Sequence, residues 1–390
     1  MSDYMPLEAI LKILNRLPVK SLLRFRSVCK SWNSLISHPS FISSHLQASL
    51  SNNTPFLLLG CLKRDGLKYS LHYDNDGFGK LKQLQFPPRA CVFGSCNGLI
   101  CIQLYPYNDG LKFLLWNPSI QKYISLPQLS FSEAKGLNVG FGFDSRTNDY
   151  KLLIIGADED HSWLQPYLFS LNGNCWKRVT TISTNYDFLF EMSMPFVNGA
   201  VHWLGYQKRN YGQYRHAILG FDLSTEEFFK INLPESLTGL LPVDLSIMKY
   251  GESSIAVSVE MLPVKLHELW VMKDYGVVES WTKLLSLQRI DRYAWIPRVL
   301  GFRKNGEVLL RVHKVEMASL DLNFLQFGAS LCLNCRQVEL HGVEVGTGLL
   351  SVYNYVESLV LLDKEVDVRC ESDVNHLIYS SDSDESSGVA

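Results

Sequence analysis

The chain has 390 residues, of which 46% are hydrophobic and 19% charged, with a formal net charge of −2. This is the composition of a globular chain long enough for about two or three domains, and the near-zero charge excludes nucleic-acid binding by bulk electrostatics. No apolar run approaches the ~20 residues of a membrane helix, and Asp3 and Glu8 stand where a secretory leader would be basic, so the expected location is cytoplasm or nucleus. Nine cysteines agree with that: Cys61, Cys101 and Cys332 sit inside apolar runs, as reduced buried thiols do.

The first elements are helical. A helix starts near Pro6, whose missing N–H costs nothing in a first turn. Leu7, Ile10, Leu11 and Leu14 recur at helical spacing on one face, and Leu17-Pro18 stops the run. A second helical stretch begins around Ser21. It carries Leu22, Phe25, Val28, Cys29, Trp32, Leu35 and Ile36 on the same period, with Lys20, Arg24, Arg26 and Lys30 mostly on other faces. Ser40 reads as the N-cap of a short helix over FISSHL. Residues 1–46 hold six Lys/Arg against two Asp/Glu. A unit this small buries a core poorly by itself. Three readings fit it: a cap docked on the rest of its own chain, a basic amphipathic element for membrane or nucleic acid, or a module that shares its apolar face with another protein.

The stretch MPLEAILKILNRLPVKSLLRFRSVCKSWNSLI resembles an F-box, in the form common in plant F-box proteins. The family pattern opens Leu-Pro-acidic-acidic, continues as an apolar helix and runs on as RLPVKSLLRFRxVCKxW. Met5-Pro6 stands for the opening pair, Leu7 replaces an acidic residue, Glu8 keeps the other, and the match is nearly continuous from Ile13 to Ile36. The resemblance implies docking on a Skp-type adaptor that joins a cullin ubiquitin ligase. It implies Pro6, Ile10, Leu14, Leu17, Pro18, Leu22, Phe25, Val28 and Trp32 as shared core and adaptor interface, about a third of them internal.

Residues 47–55, QASLSNNTP, are polar, end in proline and read as a linker. Beyond them a loose repeat appears. NGLICI leads through LLWNPSIQKYISLP, and NGAVHWLG leads through ILGFDLSTEEFFKINLP. Each has an Asn-Gly turn, apolar strands, a polar turn and a closing Leu-Pro. Closing strands end near residues 86, 126, 180, 233 and 286. A spacing of ~40 to 55 residues is that of four-stranded propeller blades of the kelch type, and its regularity favours a propeller of about six blades over a β-sandwich. GTGLLSVYNYVESLVLL supplies late strands that could close the ring.

GSCNGLICI, LWNPSIQKYISLP, GFGFDSRTNDYKLL, NGAVHWLG, ILGFDLSTEEF, LWVMKDYGVVESWTKL and YNYVESLVLL also resemble, in order, the F-box-associated domain of plant F-box proteins. S-locus F-box proteins and F-box regulators of defence proteins share the arrangement. The resemblance implies a small all-α F-box over 1–46, a kelch-like β-propeller over 56–362 and recruitment of a substrate protein.

Chemistry-bearing motifs are few. Gly94-Ser95-Cys96-Asn97-Gly98 has the shape of a nucleophile elbow, but a strand and not a helix follows, so Asn97-Gly98 reads as a hairpin turn. Cys332 and Cys335 have metal spacing, with His341 as the nearby third candidate, yet no second pair completes a site. His202 alternates within a strand and reads as a core or strand-face residue. No P-loop or strand-to-helix GxGxxG occurs. The expectation is no catalytic residue, no metal and no cofactor; a propeller enzyme would need metal ligands that spacing does not identify.

YQKRNYGQYRH, residues 206–216, is rich in interface-forming residue types, and Tyr206, Arg209, Tyr211, Tyr214 and Arg215 are the candidate substrate contacts, against the alternative of a solvated loop with aromatics packed on the rim. RIDRYAWIPR, residues 289–298, and Asp158 to Trp163 are weaker candidates. The tail 363–390 has eight acidic and two basic residues and reads as disordered, with Ser381 and Ser383 set among acidic neighbours. The reading as a whole is a substrate-recognition subunit bound to a Skp-type adaptor and a cullin. The alternatives are a propeller binding module with an internal helical cap, or a propeller enzyme.

Overall fold

The computed structural model describes residues 6–51, 56–63, 66–75, 77–86, 90–104, 111–129, 136–157, 165–180, 185–189, 194–209, 213–261, 266–288, 298–311, 317–322, 335–338 and 348–364. Four helices come first: α1 (Leu7–Leu14), α2 (Val19–Phe25), α3 (Lys30–Ile36) and α4 (Pro39–Ser51). Pro6 and Pro18 precede α1 and α2 as their N-caps. The single helix expected from Ser21 to Ile36 is instead broken after Phe25. Ser27 and Val28 donate to the carbonyls of Arg24 and Phe25, a tightened last turn, and Cys29 is extended. Ser40 is not an N-cap: Pro39 opens α4, and the N–H of Ser40, already in its first turn, donates to Nδ1 of the preceding His38 at 3.3 Å. The helix also runs to Ser51, into the stretch expected as a linker.

The remaining elements are strands in six sheets. The first sheet takes β1 (Phe56–Lys63), β2 (Gly66–Tyr73) and β3 (Lys80–Leu84). The second takes β4 (Ala90–Cys96), β5 (Leu99–Leu104), β6 (Lys112–Asn117) and β7 (Lys122–Ser125). The third takes β8 (Gly136–Asp144), β9 (Asp149–Ala157), β10 (Tyr167–Ser170) and β11 (Cys175–Arg178). In the fourth, β12 (Asp187–Phe188) and β13 (Phe196–Val197) are two short pieces of one inner strand, followed by β14 (Ala200–Lys208), β15 (Tyr214–Asp222) and β16 (Glu227–Asn232). The fifth takes β17 (Leu245–Tyr250), β18 (Ser254–Met261), β19 (Leu266–Met272) and β20 (Trp281–Gln288). The sixth takes β21 (Arg298–Phe302), β22 (Val308–Arg311), β23 (Met317–Leu320) and β24 (Cys335–Val338). Last, β25 (Gly348–Tyr355) returns to pair with β1.

Neighbouring blades touch near the axis in a closed ring, β25 to β4, β8, the β13–β14 hairpin, β17, β21 and back to β25. This is a six-bladed β-propeller closed by its last strand, the late-strand closure expected from GTGLLSVYNY. The expected closing strands correspond to β3, β7, β11, β16 and β20. Alternating side chains of each strand face the two neighbouring blades. Accordingly, each apolar cluster fills the space between two adjacent blades.

Two buried ion-pair groups also join blades. Lys151 bonds Asp144 at 2.9 Å within the third blade and Glu226 of the fourth at 3.0 Å. Arg303 bonds Asp74 of the first blade and Glu307 of its own, both at 2.6 Å.

The helices dock on this ring. Leu14, Val19, Leu22, Ile36, Phe41, Ile42 and Leu46 share one continuous cluster with Leu359 to Leu362 and with the core between the second and third blades. The reading of a cap docked on its own chain is therefore realised for one side of the helical unit.

Candidate functional site

Antiparallel meanders sort the turns onto two faces. In each blade the turn leaving the inner strand and the last hairpin lie on one face; the middle hairpin and the crossover to the next blade lie on the other. Contacts between blades obey this rule: Asn198 Nδ2 donates to Ser253 O at 2.8 Å, and Lys304 N to Asp74 Oδ2 at 3.0 Å, each joining two turns of the first face. The axis of the ring holds a cavity of about 950 Å³. At the first face its lining includes Asn97, Asn198, Glu252 and Lys304 together with Ser49 and Leu50 of α4. Lys304 Nζ donates to Leu50 O at 3.3 Å, which fixes the end of α4 at that mouth.

Among the nine residues expected as shared core and adaptor interface, the structure separates three groups. Leu14 and Leu22 are fully buried, at 1% and 0% exposure, so they are internal core. Ile10, Leu17, Phe25 and Trp32 are half-buried against that core, with the Phe25 and Trp32 rings edge-on at 5.3 Å. Pro6, Pro18 and Val28 are exposed, Val28 at 66%. Leu7 and Ile13, which the resemblance does not imply as contacts, are exposed at 59% and 50%. These are side chains of the helical unit that its own core leaves open.

The strand ends that flank 105–110, 158–164, 210–212 and 289–297 all reach the second face, so the described residues beside the three stretches singled out in the sequence share one side. Most of 206–216 is strand and not loop: Tyr206 and Tyr214 lie on β14 and β15, and the register pairs Tyr206 with His216, Gln207 with Arg215 and Lys208 with Tyr214. The Tyr206 and Tyr214 rings stand 6.0 Å apart, and Tyr214 stacks on His216 at 6.4 Å. Tyr206 and Tyr214 are half-buried, Arg209 and Arg215 exposed, and Tyr211 lies outside the described residues. Burial raises the Tyr206 hydroxyl pKa and lowers that of His216. Gly239 N donates to Tyr214 O at 2.8 Å, and His216 Nε2 lies 2.9 Å from Leu240 O. These bonds tie the hairpin to a segment the sequence reading passed over, in which Leu241 and Val243 are 50% and 80% exposed. Gly239, at φ +83°, supplies the backbone turn that sends this apolar run outward.

The chemistry-bearing motifs resolve as structure. Asn97 and Gly98 have φ of +53° and +84°, a hairpin turn between β4 and β5. Burial pushes the Cys96 thiol up to about 12, the opposite of an activated nucleophile. His202 is buried, with Nε2 at 2.7 Å from the Tyr275 hydroxyl and Nδ1 at 3.2 Å from Pro195 O, and burial lowers it to about 4. Among the described residues no group of three or more His, Cys, Asp or Glu could hold a metal. Cys332, His341, the stretch Asp158 to Trp163 and the tail beyond 364 lie outside the described residues. Among the described residues no helix is long and apolar enough to cross a membrane.

The described structure is a helical unit docked at one face of a closed six-bladed propeller. Comparison with known proteins agrees. The F-box domain family matches residues 3–44, and the F-box associated beta propeller domain family matches residues 78–362. Proteins similar to the chain include three from Arabidopsis thaliana. F-box protein CPR1 is 25% identical, over 96% of this chain and 91% of that one. F-box protein At3g07870 is 30% identical, over 82% and 85%. F-box/kelch-repeat protein At3g23880 is 28% identical, over 75% and 82%. The chain belongs to the F-box proteins that carry an F-box associated beta propeller domain. Residues 56–73, ahead of the matched propeller stretch, supply β1 and β2 and complete its first blade.

Proposed function

We propose that this chain is the substrate-recognition subunit of a Skp-cullin-F-box ubiquitin ligase, acting in cytoplasm or nucleus. One observation carries the reading: a family-defined F-box caps one face of the ring while aromatic, basic and exposed apolar residues gather on the other. The F-box would hold the adaptor through Pro6, Leu7, Ile13, Pro18 and Val28, with the half-buried Ile10, Leu17, Phe25 and Trp32 at the margin. The second face, through Tyr206, Arg209, Tyr211, Tyr214 and Arg215, would hold the target protein. The mechanism is proximity: effective concentration at the ligase replaces chemistry by this chain. The functional division falls at the end of α4, with the F-box before it and the substrate domain over 56–362.

The continuous core between helices and propeller favours a second reading, a binding module whose helices serve only as a cap. The test is abundance proteomics in cells carrying Val28→Asp or Tyr214→Ala/Arg215→Ala. A receptor predicts one set of proteins that accumulates in both variants. Accumulation in neither, with both variants folded and expressed, supports the cap.

A further inference from the structure

The ring closes at Tyr355, yet the chain runs on in a fixed course across the first face of the second blade. Val356 and Ser358 press on the Asn97-Gly98 turn so closely that a Cβ on Gly98 would lie 2.8 Å from Val356 O. Asn117, buried at the end of β6, donates from Nδ2 to Ser358 O at 3.0 Å, to Ser358 Oγ at 3.2 Å and to Val360 O at 2.9 Å. Lys122 Nζ then donates to Leu362 O at 3.3 Å and to Lys364 O at 3.2 Å. Leu361 stands at φ +76°, a conformation leucine rarely adopts and one that persists where the surroundings over-determine it. Leu359 and Leu361, at 0% and 2% exposure, belong to the apolar cluster that takes in the buried side chains of the helices. The helices themselves stay off the blades: α2 and α4 pack on α3, and no helix lies closely along a strand of the ring. Among the described residues, the bond from Lys304 Nζ to Leu50 O is the one hydrogen bond that joins a blade to a helix. Burial and then Arg26 of the F-box lower the Lys122 pKa, so those two cations repel, and Asp363 of the same C-terminal stretch offsets them.

We infer that residues 356–362 are a strap that seats the F-box on the propeller, with Leu359, Leu361 and Asn117 as positioning residues that fix where the helices stand relative to the second face. The strap continues β25, so the helices are seated on a ring only once its last strand has closed it. This holds with or without an adaptor, and goes beyond the receptor reading.

The test uses the full chain with the recognition sequence of a specific protease placed within residues 52–55, cut after folding and run on size exclusion at a series of concentrations. The helical piece of the cut wild type should stay with the propeller. Leu359→Asp/Leu361→Asp puts two carboxylates into the shared core and should weaken that association about ten-fold or more, whereas Lys304→Ala should change it less than about two-fold. Urea unfolding of the uncut proteins checks the ring. If the double variant unfolds early, Leu359→Ala carries the test, because it opens a cavity in the same core without adding charge and should also weaken association about ten-fold. A cut wild type that falls apart, strap variants that hold the helical piece as tightly as wild type, or a Lys304→Ala variant that loses it as readily as they do would overturn the inference. No adaptor is added, so the outcome is separate from the ligase assignment.

Discussion

Replacing Arg303 by methionine should open the ring where its last blade meets its first. The guanidinium and Asp74 carboxylate are 3% and 2% exposed and 2.6 Å apart, so solvent screens them little. At an effective dielectric constant of about 20, unit charges ~4 Å apart attract by about 4 kcal/mol. Methionine fills most of the arginine's volume but leaves Asp74 buried opposite no cation, a loss of about 3 to 5 kcal/mol. Lys304 N still donates to Asp74 and softens that loss, which places the expectation at about 3 kcal/mol. Urea unfolding followed by tryptophan fluorescence measures it on the full chain. Arg303→Met/Asp74→Leu should recover the Asp74 part of the loss, because that carboxylate is gone while Glu307 still lacks its cation. A single variant within about 0.5 kcal/mol of wild type, or a double variant no better than the single, would refute the assignment of ring closure to this pair.

Three further expectations follow from the same geometry. His202 is held neutral, lowered from its ordinary 6.5 to about 4, and burial also lowers His45, His72 and His216. The unfolded chain therefore binds more protons between pH 6.5 and 4. Stability is fully present above 6.5 and is lost as pH falls through this window, by about 3 kcal/mol from His202 alone; His202→Gln should flatten denaturant midpoints measured from pH 7 to 4.5. At Gly98, φ is +84° and an added Cβ would lie 2.8 Å from Val356 O, so Gly98→Ala should lower the midpoint by more than the ~1 kcal/mol of backbone strain alone. Leu22→Ala empties a site of 0% exposure and should cost about 2 to 5 kcal/mol in thermal or urea melts, whereas Val28→Ala should be nearly silent.

The helical unit was legible because its apolar residues recur at 3.6-residue spacing and its RLPVKSLLRFRSVCKSW run is long and specific. The break before Cys29 was not, because no glycine or proline marks it; the chain turns there through tightened carbonyl bonds and one extended residue. Blades were legible from polar turns at even spacing, and Asn97-Gly98 and the Asp222 turn, where Oδ1 accepts Ser224 N and Thr225 N, show why those turns form. Faces were not, since a strand pattern does not say which hairpin points which way. That is why 206–216, 289–298 and 158–163 were three separate candidates until the meander put their flanking strand ends on one side. The resemblance implies Leu14 and Leu22 as shared core and interface without dividing the two, and their burial puts them in the core. Leu241 and Val243 carry no motif that marks them in the sequence, yet they are exposed at 50% and 80% after the positive-φ Gly239.

The most direct measurement is co-purification of the full chain with a panel of Skp-type adaptors, comparing wild type with Val28→Asp. Val28 is 66% exposed, so its replacement should leave the melting temperature unchanged while placing a carboxylate in an apolar contact. Wild type should form a stable complex, and the variant should bind at least about ten-fold more weakly. A folded wild type that binds no adaptor would contradict the account; a variant that binds as tightly as wild type would remove Val28 from the interface.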